Sequence, residues 1–158
     1  MSKKEIQVEN IVLIPCSGSE YHGELARQVA IRLAEKSEIA SISSMTCSTI
    51  FLKNVLLENH QLVEITKNHL KQSFIIIING CKTACTSVIY KHLDIVPDLI
   101  ISVQDVIPKQ RMNLNDLNTF RNLPKLSEIK DEDIRKVVEF VLQELKEQGL
   151  NIDKSDEN

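Results

Sequence analysis

The chain has 158 residues, of which 42% are hydrophobic, with 19 Lys+Arg against 22 Asp+Glu and a formal net charge of −3, so it can bury one core of single-domain size. The acidic balance lacks the basic footprint that phosphate-backbone binding needs, which excludes nucleic acid as a main partner. The longest unbroken apolar run, Phe74 to Ile78, falls far short of the roughly 20 residues of a bilayer span, and no apolar signal stretch follows Met-Ser-Lys-Lys-Glu, so no membrane partner and a cytoplasmic location are expected.

Ile11 to Ile14 reads as a strand buried on both faces. A helix follows, with Leu25, Val29 and Leu33 at spacing four and Ala26, Ala30 and Ala34 beside them. Ile39 to Met45 predicts a weaker strand, because serines alternate with its apolar positions. Ile50 to Leu57 and Leu62 to Leu70 read as helical, with a break near Asn59. Phe74 to Ile78 is the clearest buried strand. Asn79-Gly80 ends it, and Lys82 to Leu93 predicts a short helix. Pro97-Asp98 turns into a fourth strand, Leu99 to Val103. Val106 to Lys130 is polar, carries Pro108 and Pro124, and reads as a long connection with one short helix around Leu114 to Phe120. Asp131 opens an amphipathic helix whose Ile134, Val137, Val138, Val141, Leu142 and Leu145 share one face, with Gly149 as its stop.

Strands alternating with helices imply right-handed crossovers and a parallel sheet. The expected fold is α/β: a three-layer α/β/α sandwich on a four-stranded parallel sheet, Rossmann-like or flavodoxin-like in outline, with strand order 2-1-3-4. Residues 1–150 are expected to form one domain and 151–158 a flexible polar tail.

On that outline Cys16 follows the first strand, Cys47 the second and Cys81 the third, with Cys85 one turn beyond. Open α/β sheets bind ligands at the carboxyl edge of their strands, so all four sulfurs are expected to meet there. A disulfide framework suits small secreted domains rather than this chain, and buried bystander cysteines are the bland alternative. Were Cys81 and Cys85 both helical, their Cβ atoms would stand about 5–6 Å apart, wider than the roughly 3.5–4.5 Å of a disulfide and suited to two thiolates on one metal. Helix N-termini after Cys16 and Cys81 stabilise anionic sulfur, which serves metal binding and redox chemistry equally.

Other candidates are weaker. Gly18 and Gly23 lack the remainder of a nucleotide-binding loop and read as a tight turn. Position 22 is His where a phosphatase-like cysteine loop wants Arg. His22 is a candidate fifth ligand or supporting donor near Cys16. His60 and His69 read as surface residues, and His92 is about 10 Å along the helix from Cys85, too far to share its metal. Asp105 reads as a capping or turn carboxylate.

Three ordered blocks carry a resemblance: Cys16-Ser-Gly-Ser with Gly23 and Ala26; Met45-Thr-Cys47; and Asn79-Gly80-Cys81-Lys-Thr-Ala84-Cys85. They resemble the DGC-domain family, described as zinc-binding proteins, over about Ile11 to Lys109. The chain departs from the motif's namesake, with Asn79 where the family has Asp. The resemblance implies a metal site and leaves the reaction undefined.

The leading expectation is therefore a zinc protein with Cys16, Cys47, Cys81 and Cys85 as ligands, the metal ion being its partner. Four thiolates also hold an iron–sulfur cluster. The alternative is a cytoplasmic thiol redox or sulfur-transfer protein, with Cys16 or Cys81 as nucleophile and Cys47 or Cys85 as resolving thiol. A small-ligand or partner-binding module with incidental cysteines is the remaining class. Protein partners are not legible.

Overall fold

The computed structural model describes residues 8–16, 18, 20–43, 60–92, 94–108 and 128–152. Its elements are β1 (Ile11–Pro15), α1 (Tyr21–Lys36), β2 (Ala40–Ile42), α2 (His60–Gln72), β3 (Phe74–Asn79), α3 (Cys85–His92), β4 (Leu99–Ser102), a single turn α4 (Val103–Val106) and α5 (Asp131–Glu147). The strands form one sheet in the order β2-β1-β3-β4, all pairs parallel, as the alternating pattern requires.

Side chains of successive strand residues point to opposite faces, and the core divides accordingly. Ile11, Leu13, Ile76, Ile78, Leu99 and Ile101 pack with α1 and α5 residues such as Leu25, Val29, Leu33, Val137 and Val141. Val12, Ile14, Ile75 and Ile77 pack on the other face with Leu70 of α2, Tyr90 of α3 and Ile95. Two cores on one sheet make the three-layer sandwich.

Three boundaries differ from expectation. β2 spans 40–42 among the described residues, with Ser43 N–H donating to the Leu13 carbonyl at 2.9 Å, while positions 44 and 45 of the expected strand lie outside them. Ile39 and Ile42 stay over a third exposed, so this edge strand buries little to extend it. α3 starts at Cys85 rather than Lys82, because Ala84 sits in the left-handed region at φ 52°, which no helix continues through. Val103 ends the fourth strand by opening α4. The helices expected over 50–57 and 114–120 lie outside the described residues.

α5 ends as its sequence implies. Gly149 has φ 86°, its N–H donates to Lys146, and Leu150 N–H donates to Leu145, the paired bonds of a Schellman stop. Leu150 and Ile152 then bury against the first core, so the chain stays anchored two residues into the expected tail.

Ile77 is fully buried and Ile65 is 57% exposed. Ile77→Ala should lower unfolding free energy by about 2–5 kcal/mol through lost burial plus a cavity. Ile65→Ala should stay within about 0.5 kcal/mol. Urea midpoints at unchanged slope would check both.

Candidate metal centre

The carboxyl edge is built on two neighbouring strand ends. Cys16 follows β1 directly, and its N–H extends the ladder by donating to the Ile78 carbonyl at 2.8 Å. The Gly18 N–H points back at the Cys16 sulfur, 3.3 Å away, so the first loop folds around this thiol. β3 lies beside β1, with Pro15 opposite Ile78, and it runs through Asn79 and Gly80 into Cys81.

Glycine is required here for space rather than for a turn. A Cβ at Gly80 would stand 2.9 Å from the Gly23 nitrogen and 3.0 Å from both the Gly23 Cα and the His22 carbonyl carbon. A Cβ at Gly23 would fall onto the Gly18 carbonyl, 2.7 Å from its carbon. Gly23 lies inside α1, so its expected role in a tight turn is corrected to close backbone approach. Gly80, before Cys81, and Gly18, after Cys16, thus both close on the first turn of α1.

Cys81 stands before the helix, in a turn closed by Ala84 N–H donating to its carbonyl at 3.1 Å. The condition under which Cys81 and Cys85 would share one helical face is therefore not met. Cys16 and Cys81 are half-buried, and Cys85 is exposed. The turn is held from outside: Lys82 N–H donates to Gln104 Oε1 at 3.1 Å, and Lys82 Nζ lies 3.6 Å from Asp105 Oδ1. Asp105 therefore serves an exposed ion pair rather than a cap.

His22 is buried in the first turn of α1, with Nε2 2.8 Å from the Ile107 carbonyl. A carbonyl only accepts, so Nε2 carries the proton, and this nitrogen fastens α1 to the segment after α4 instead of facing a metal. His69 and His92 are exposed. Tyr21 ties the same helix start to α5 through Asp133 at 2.6 Å, and its hydroxyl accepts the Lys130 N–H. Burial and then the Asp133 hydrogen bond push the Tyr21 hydroxyl above its ordinary pKa.

Asn79 is buried, its Nδ2 donating to Ser87 Oγ at 2.8 Å. Asn79 Oδ1, Thr86 Oγ1 and Ser102 Oγ are buried without a hydrogen-bond partner among the described residues. Among the described residues, no three His, Cys, Asp or Glu side chains form a metal-holding group, and Cys47 lies outside those residues. The donor chemistry fits a soft or borderline cation: two half-buried thiols after adjoining strands and a third, exposed, at the start of α3. Sequence reasoning missed Gln104 and the Ile107 carbonyl, because their partners are far away in sequence.

A doubly wound parallel sheet with cysteines past the carboxyl ends of its strands defines the class. The model of the DGC domain matches residues 12–141, and the chain belongs to that family. Comparison with curated proteins and with solved structures finds no match. No helix among the described residues is long and apolar enough to cross a membrane.

Gly80→Ala should cost about 1–3 kcal/mol, the usual range for overpacking, because backbone atoms must move. Gly18→Ala, whose Cβ would meet nothing closer than 3.4 Å, should be nearly neutral. Thermal unfolding of the two variants side by side would check the contrast.

Proposed function

We propose that this protein binds zinc through Cys16, Cys47, Cys81 and Cys85 at the carboxyl edge of its sheet. The observation that supports the reading is the approach of both Gly80 and Gly18 to Gly23, which brings the segments next to Cys81 and Cys16 onto the same turn of α1. Cys16 and Cys81 would form the inner pair, Cys85 would approach from α3, and Cys47 would arrive from the β2 side. Bound zinc would supply a Lewis acid held by thiolates. A closed four-thiolate shell is typical of structural sites and an open position of catalytic ones.

The chain's own groups would support the ligands. The Gly18 N–H stabilises charge on the Cys16 sulfur, and hydrogen bonds to charged acceptors are the stronger ones. The Gln104 and Asp105 contacts hold the backbone on which Cys81 rides. A cytoplasmic setting, without nucleic acid or membrane as partner, suits free thiols and the chain's net charge of −3.

Protein purified without chelator should carry about one equivalent of zinc, with thiols slow to react until the metal is removed. Iron with labile sulfide would instead indicate a cluster. Metal-free protein whose four thiols titrate at once would overturn the reading. A thiol redox or sulfur-transfer protein is favoured by one observation, the exposure of Cys85 one turn beyond Cys81. A Cys81–Cys85 disulfide formed by mild oxidant in metal-free protein would support it.

Removing the metal should leave the sheet folded. Zinc fingers unfold without metal because they have almost no core, and binding there contributes on the order of 10–16 kcal/mol. Here both faces of the sheet are covered by buried aliphatic side chains, each contributing about 1.5–3 kcal/mol. Hydrogen exchange on chelation should rise over residues 16–23 and 80–85 and change little in β1 and β3. Global loss of secondary structure would recast the metal as a folding staple.

A further inference from the structure

Of the asparagines in the chain, Asn79 alone is followed by glycine. A glycine there leaves the next backbone nitrogen unshielded by a side chain, so that nitrogen can reach the asparagine's own Cγ. When the Gly80 nitrogen attacks Asn79 Cγ, a C–N bond forms and closes a succinimide ring. The Cγ–Nδ2 bond breaks, and Nδ2 leaves as ammonia with the proton that Gly80 gives up. Water then opens the ring at either carbonyl. One opening leaves aspartate, and the other leaves isoaspartate, whose main chain runs through the former side chain. Nothing is oxidised or reduced, and water is the only co-reactant.

The fold opposes this ring closure at several points. Asn79 ends β3 in extended backbone and is 2% exposed, which keeps water from its carbonyl. Its Nδ2 donates to Ser87 Oγ at 2.8 Å, so the carboxamide is drawn toward α3. Closure also needs the peptide plane between positions 79 and 80 to rotate, and Gly80 must move with it. Gly80 has little room, since even an added Cβ would stand 2.9 Å from the Gly23 nitrogen. One requirement is met. Among the described residues no hydrogen bond occupies the Gly80 N–H, so the nucleophile is held back by position and not by pairing.

We propose that Asn79 is a modification site, deamidated through Gly80 when the carboxyl edge of the sheet opens. The rate in the folded chain is then the intrinsic rate multiplied by the open fraction, as for amide exchange through local opening. Neither product lets the edge close as before. Aspartate places a carboxylate where burial disfavours charge and removes the amide that donates to Ser87. Isoaspartate lengthens the main chain by a methylene directly before Gly80 and drives it against Gly23. Both loosen the turn that carries Cys81, so the modification releases that turn irreversibly. The inference rests on the glycine contact and does not depend on the metal reading.

The full chain should be incubated with reductant in mildly alkaline buffer and followed by peptide mass mapping. In urea that unfolds it, Asn79 should convert ahead of every other asparagine. In the folded chain it should convert at least about tenfold more slowly, in step with the open fraction. Gly23→Ala, whose Cβ would meet the Gly18 carbonyl, should speed conversion while circular dichroism shows the fold retained. Should that variant not fold, urea below the unfolding transition should give the same acceleration in the unchanged sequence. Asn79→Asp, which stands for one product, should raise hydrogen exchange over residues 80–85 and leave β1 unchanged. The proposal is overturned if folded and unfolded chains convert at one rate, or if another asparagine converts first in urea. It is overturned equally if Gly23→Ala and mild urea both leave the folded rate unaltered, or if Asn79→Asp leaves exchange over 80–85 as it was.

Discussion

The carboxyl edge depends on one contact, the approach of Gly80 to Gly23 and of Gly23 to Gly18. Three of the four glycines in the chain are used in it. It is a contact between main chains, so no side-chain rearrangement can relieve a methyl group placed there. It fixes how α1 enters over the end of β3, and so fixes the distance between the loop after β1 and the loop after β3. Everything proposed for the cysteines presupposes that distance.

The surroundings of the contact reinforce it from one side. His22 and Tyr21 stand at the start of α1 and bond to elements far along the chain, Ile107 and Asp133. Such hydrogen bonds contribute about 0.5–1.5 kcal/mol each in net terms, and more where the acceptor is a carboxylate. Their larger effect is orientation: the first turn of α1 is tied at both residues, so the Cys16 loop is held at its far end. Cys81 is held differently, through its own closed turn and the Gln104 amide. Exposed ion pairs such as Lys82–Asp105 are screened by water and add little stability. The edge is thus positioned by packing and short backbone bonds rather than by charge.

What the sequence disclosed follows from periodicity. Unbroken aliphatic runs at Ile11 to Ile14 and Phe74 to Ile78 announce strands covered on both faces, and the stripe from Ile134 to Leu145 announces α5, because burial selects residue type directly. The DGC blocks announced the family in the same way, through residues that are themselves the signal. The start of α3 was not legible: alanine at position 84 is a strong helix former, and only tertiary context puts it at φ 52°. The role of Gly23 was equally hidden, since nothing local tells a glycine that turns the chain from one that admits another backbone. Sequence order was enough to place Cys16 after β1 and Cys81 and Cys85 after β3, but whether Cys81 is helical was left open, because it depends on the turn at Ala84.

Asn79 shows how such an edge is balanced electrostatically. It occupies the position of the family motif's aspartate, 2% exposed, with its amide bonded to Ser87. A carboxylate there would lose most of its hydration, and an unpaired buried charge is among the costliest things a fold can contain. An amide of the same shape keeps a hydrogen bond between the end of β3 and α3 while adding no charge. It leaves one oxygen unpartnered, a penalty of about 1–3 kcal/mol. That is smaller than the several kcal/mol of desolvating an ion, so at this position a neutral side chain secures α3 against the sheet at less cost than a carboxylate would.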